Sequence, residues 1–78
     1  MYAYNVFYYI ISTATADMVT VAAPSAELAK QCFLDTVQRS GAGDDYEVTK
    51  VQKVAKEYQR LAKIHATLKY DRYGRYGK

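Results

Sequence analysis

The sequence predicts an α+β fold: one small domain of order β-β-α-β-α, in which a three-stranded, mainly antiparallel sheet packs with two helices. Three observations carry this. Residues 2 to 12 are dense in aromatic and β-branched side chains, residues 26 to 39 carry a capped amphipathic stripe, and a second helical stripe begins near residue 55. At 78 residues the chain is one domain with a thin core, because a chain this short buries only about 60% of its unfolded surface.

The first strand alternates Tyr4, Val6, Tyr8 and Ile10 with Asn5, Phe7, Tyr9 and Ile11, so both of its faces are adhesive. Thr13 to Asp17 turns the chain into a second strand, Met18 to Ala22, paired with the first as a hairpin. Pro24 stops that strand. Ser25 suits an N-cap, because its hydroxyl can accept from an orphan helix N–H, and Glu27 then sits at the positive end of the helix dipole. The helix runs from about 26 to 39 on the stripe Leu28, Ala29, Cys32, Phe33 and Val37. It ends at Arg39 and Gly41.

The segment from Tyr46 to Val54 is read as a third strand. Val48, Thr49, Val51 and Val54 favour it, although Val48, Val51, Ala55 and Tyr58 also continue a helical stripe. A lone hairpin is marginal in water, and a third strand gives the first helix a sheet to cover. A second helix is expected from about 55 to 69, docking by Tyr58, Leu61, Ala62, His65 and Leu68. The folded domain is therefore set at 1–69, followed by a Tyr/Arg/Gly tail at 70–78.

Charge is divided sharply along the chain. Residues 1 to 49 hold two basic against six acidic side chains, a net of −4, while residues 50 to 78 hold nine against two, a net of +7. On a helical wheel Lys56, Arg60 and Lys63 fall within roughly 60° of one another, opposite the apolar stripe. The tail places Tyr70, Tyr73 and Tyr76 at period three, interleaved with Arg72, Arg75 and Lys78. Gly74 and Gly77 argue against continued helix. Tyrosine rings and guanidinium forks serve protein hot spots and single-stranded nucleic acid alike. The expected partner-binding set is thus Lys56, Arg60, Lys63, Lys69, Tyr70, Arg72, Tyr73, Arg75, Tyr76 and Lys78.

Catalytic and metal chemistry are not expected, and no cofactor is. His65 is the sole histidine and lies on the apolar stripe, which marks it as a packed residue rather than a general base. Cys32 lies on an apolar helix face with no basic neighbour in sequence, which marks an inert thiol. Asp44, Asp45 and Glu47 lack the spacing of a calcium loop. There is no phosphate-binding glycine loop and no serine elbow. One cysteine, no basic leader and no apolar run near 18 residues lead to a cytoplasmic, non-membrane expectation.

The strand ending in Val19-Thr20-Val21-Ala22-Ala23, the capped helix Ser25-Ala26-Glu27-Leu28-Ala29-Lys30 and the later Val48-Thr49-Lys50-Val51 strand resemble a layout common in small phage-encoded accessory proteins, several anti-CRISPR proteins among them. The resemblance covers about residues 5 to 54 and is one of architecture and size, with no diagnostic motif. It implies a stoichiometric inhibitor, working in the host cytoplasm, that occupies a surface of a larger nucleic-acid-handling protein complex. The partner would then be a protein with an acidic or nucleic-acid-binding surface. Direct nucleic-acid binding through the second helix and the tail is the alternative. Self-association, with the −4 and +7 portions meeting head to tail, is a further one. A membrane-surface role is disfavoured, because Ala55, Ala62 and His65 stand where an anchor needs bulk.

Overall fold

In the computed structural model, which describes residues 1–70, the aromatic run forms β1 (Tyr2–Ile10), with long strands on both sides. Its hairpin partner β2 (Thr15–Ala23) pairs antiparallel in unbroken register from Tyr2↔Ala23 to Ile10↔Thr15, so Thr15 to Asp17, expected in the turn, belong to the strand, drawn in by pairing with Tyr8 to Ile10. Ala14 closes the turn at φ 53°, a left-handed conformation that costs a non-glycine residue about 1 kcal/mol. Asp45 holds this turn from outside. Its carboxylate accepts from the Ser12 N–H (2.8 Å) and hydroxyl, and its carbonyl accepts from the Ile11 N–H at 2.9 Å.

Helix α1 (Ala26–Arg39) starts as its sequence dictates, with the Ser25 hydroxyl accepting from the Leu28 N–H at 3.3 Å. It stops at Gly41, whose φ of 83° favours glycine. The Gly41 N–H donates to the Gln38 carbonyl and the Ala42 N–H to the Val37 carbonyl, the paired bonds of a Schellman ending. Its buried stripe of Ala29, Cys32, Phe33 and Val37 lies on Tyr4, Val6, Val21 and Ala23 of the sheet. Tyr8, Phe33 and Tyr46 form a ring cluster joining β1, α1 and β3, with Tyr8 and Phe33 stacked at 4.8 Å between centroids. Burial, helped by Asp17 and Tyr46, pushes the Tyr8 phenol pKa up.

The Tyr46–Lys53 segment is a strand, β3, antiparallel to β1. A bulge lies within it: Phe7 pairs with Lys50 and Tyr8 with Val48, leaving Thr49 over, whose hydroxyl donates to the Phe7 carbonyl at 3.3 Å. The bulge brings Val48 and Val51, opposite Tyr8 and Val6, both onto the α1 side of the sheet.

The expected helix over 55 to 69 is corrected. A 3-10 turn at Lys56–Tyr58 leads into a short helix α2 (Gln59–Ile64), after which the chain extends into β4 (Leu68–Lys69). The sheet accordingly has four strands rather than three, in the order β3-β1-β2-β4, and is mixed because β4 runs parallel to β2. The physical reason is the open edge of β2. Thr67 donates to the Thr20 carbonyl and Tyr70 to the Ala22 carbonyl, satisfying groups that a longer helix would leave bare, and Leu68 packs against the core.

The docking face of α2 is corrected as well. Tyr58, Leu61 and His65 are exposed, while Gln59 and Ala62 turn toward the sheet. Ala3 and Ala22, cross-strand partners on the side away from α1, are buried at 0% and 4% exposure, and α2 lies against both of their strands. Two small residues side by side let the helix approach closely. Gln59 then fixes it: the Ala3 N–H donates to its Oε1 at 2.7 Å, and its Nε2 donates to the carbonyls of Ala3 (3.0 Å) and Val54 (2.7 Å). The side-chain amide continues the β1–β3 ladder beyond the last residue of β3.

Replacing Gln59 with Ala takes the acceptor from the buried Ala3 N–H and a donor from the Val54 carbonyl, while the Ala3 carbonyl keeps the Val54 N–H, and should destabilise the fold by about 1–3 kcal/mol. Phe33→Ala, which opens the ring cluster, should cost about 3–5 kcal/mol. Urea unfolding curves measure both. In Gln59→Ala, hydrogen exchange should speed up in residues 54–70 while the β1–β2 hairpin stays protected.

Candidate functional site

Among the described residues, the side of the sheet away from α1 is covered only at one end. Cross-strand registers lay it out in rows, beginning with Ala22–Ala3 under α2. Thr20–Asn5–Gln52 comes next, then Met18–Phe7–Lys50, then Ala16–Tyr9–Glu47. The Thr20 hydroxyl donates to Asn5 Oδ1 at 2.9 Å, which ties the polar row together. Beyond it Phe7 and Tyr9 are half-buried and Met18 is exposed, and the Lys50 ammonium stands 5.6 Å from the Phe7 ring centroid. A mixed apolar and cationic surface results.

Helix α2 adds to it from the covered end. With Gln59 and Ala62 directed at the sheet, helical spacing turns Leu61 and Ile64 outward, and they are 60% and 59% exposed. Tyr58, equally exposed, precedes them in the 3-10 turn. Lys56 and Arg60 are exposed beside this ridge, whereas Lys63 is half-buried. The sequence placed the cations opposite the apolar stripe. Anchoring of Gln59 rotates the helix so that aliphatic and cationic groups share the outward surface.

Of the other residues expected to bind a partner, Lys69 is exposed in β4. Tyr70 is half-buried, packs against the core and donates its N–H to Ala22, so its backbone is part of the sheet. Arg72, Tyr73, Arg75, Tyr76 and Lys78 lie outside the described residues. Sequence reasoning passed over Leu61 as a binding residue because a helical stripe is ordinarily the docked face, and it gave Ile64, off that stripe, no role. Phe7, Tyr9 and Met18 carried a signal in the two-sided adhesiveness of β1.

A groove of about 400 Å³ opens at the end of the sheet, lined by Tyr2, Lys53, Val54, Lys56 and Gln59. The Lys53 ammonium lies 3.8 Å from the Tyr2 ring centroid. Among the described residues, no group of three or more His, Cys, Asp or Glu side chains is gathered where it could hold a metal ion. Asp45 is engaged in the hairpin clamp. His65, expected to be packed, is exposed at the end of α2, because the helix presents the opposite face to the sheet. No helix among the described residues is long and apolar enough to cross a membrane.

Cys32 is fully buried, and burial first, with Asp35 adding to it and Arg39 opposing, pushes its thiol up to about 11. No family model, curated protein or solved structure matches the chain.

With its thiol neutral and enclosed, Cys32 should resist a water-soluble disulfide reagent at pH 8 in the native protein and react fully once unfolded in urea. A folded pKa above the unfolded value means that stability from the neutral thiol is present below about pH 9. It should be lost between pH 9 and 11; Cys32→Ala should remove the thiol's share of the decline and leave that of Tyr8, whose raised phenol acts in the same direction at higher pH.

Proposed function

We propose that the chain is a non-enzymatic binding protein that docks on an acidic surface of a larger, nucleic-acid-handling protein complex and acts by occupying it. The observation that carries this is the outward placement of Leu61 and Ile64 on α2, with Lys56 and Arg60 beside them. A solvated helix gains nothing from aliphatic side chains in water. A protein interface uses them as the apolar centre inside a charged rim. The stoichiometric inhibitor implied by the resemblance to small phage-encoded proteins fits such a surface, as does the excess of positive charge after residue 50.

A second reading rests on a different part of the molecule. Phe7 and Tyr9, two residues apart on a central strand and uncovered by α2, offer rings on which single-stranded bases could stack, with Lys50 beside one of them. Glu47, opposite Tyr9, places a negative charge where a phosphate would follow. That repulsion and the aliphatic ridge favour the protein partner.

Tagged wild-type protein should retain a protein partner from host lysate after nuclease treatment. The double variant Leu61→Asp/Ile64→Asp should retain at least about tenfold less while melting with the wild type, since both positions are solvent-exposed. Recovery of nucleic acid alone, with nothing surviving nuclease, would overturn the protein-partner reading in favour of the second.

A further inference from the structure

The groove at the sheet end has a composition suited to one kind of occupant. Tyr2, Lys53, Lys56 and Gln59 line it with the apolar Val54, and no acidic side chain is among the lining residues. Gln59 contributes rigidity rather than recognition. Its Nε2 has given both hydrogens to backbone carbonyls and its Oε1 already accepts from Ala3, so the amide holds the groove open in a fixed shape. Two lysines, with no carboxylate among the lining residues, border a space large enough for a single side chain. We propose that this groove is an anchoring site for an acidic side chain of a protein partner, Lys53 and Lys56 pairing with its carboxylate while Tyr2 and Val54 pack against its aliphatic stem.

The alternative occupant of a basic groove with an aromatic wall is a nucleotide. The placement of Lys53 weighs against it. Its ammonium already lies 3.8 Å from the centroid of Tyr2, on the ring face where a base would stack, so stacking there has to displace a favourable cation–π contact. A carboxylate approaches that ammonium without disturbing the ring. Lys56 also belongs to the turn that carries Tyr58 into α2, so the groove borders the cationic and apolar ridge instead of forming a separate site. The proposal rests on the protein-binding reading and names the chemistry that the partner must bring to it: a carboxylate spaced from an apolar residue.

The test uses the full chain, isotopically labelled, titrated with three probes: a short synthetic peptide alternating Glu with Leu and Ser, the same peptide with Gln for Glu, and an oligothymidylate. The Glu peptide is expected to move the backbone amides of Val54 and Lys56 and the side-chain amide resonance of Gln59. Substituting Gln for Glu in the probe, or Lys53→Glu/Lys56→Glu in the protein, should weaken that binding about tenfold, as reversal of two exposed charges does. Both lysines are exposed, so the charge-reversed protein should keep its fold, which far-UV circular dichroism checks. Shifts confined to residues 58–64 would overturn the groove while leaving the protein-binding reading intact. Stronger shifts at the groove from the oligothymidylate than from the Glu peptide would overturn it in favour of a nucleotide site. Equal binding by the charge-reversed protein would overturn it outright.

Discussion

Burial of Tyr4, Val6 and Tyr8 beneath α1 fixes most of what surrounds them. These residues lie on a strand paired along its length on both sides, and they meet Cys32, Phe33 and Val37 of the one long helix in the described chain. Removing this apolar area from water is the main favourable term available to so short a chain. Everything that aligns the strands serves it. The hairpin register, the Asp45 clamp on the turn and the bulge that brings Val48 and Val51 to the same side all direct apolar side chains toward α1.

A sheet has two faces, and α1 covers one. After β3 the chain does not continue as a second long helix among the described residues. It spends nine residues on a turn and α2, then returns to the sheet as β4 along β2. Among the described residues only the Ala3–Ala22 end of the second face is covered, by a helix whose contact side is an amide and an alanine instead of a row of leucines. Hydrogen bonding, more than apolar burial, holds α2 in place. Leu61 and Ile64 consequently point away from the protein, and Phe7, Tyr9 and Met18 lie beyond the edge of the helix.

Surplus apolar surface among cations is what the proposed binding role draws from the fold. Exposed aliphatic groups work against solubility unless something covers them, and under the binding role proposed above the lysines and arginine around them would favour an acidic partner. The groove lined by Tyr2, Lys53 and Lys56 sits where β3 hands over to α2, so the Gln59 bonds that position the helix also shape the groove. The proposed anchoring site thus shares its contacts with the packing of α2.

What the sequence determined by itself is local. β1 and β2 followed from alternation and β-branching; Ser25 and Gly41 bounded α1, and its stripe named the residues it buries, because caps and periodicity act within a few residues. The strand at 46–53 was legible once a sheet was needed under α1. Tertiary structure alone decided that residues 68–69 leave the helical pattern for the open edge of β2, and that α2 turns Leu61 and Ile64 outward. Periodicity reports that a helix has an apolar face without saying what meets it. Here the answer came from Ala3 and Gln59, 56 residues apart, whose hydrogen bonds set the rotation of α2 against the expected stripe.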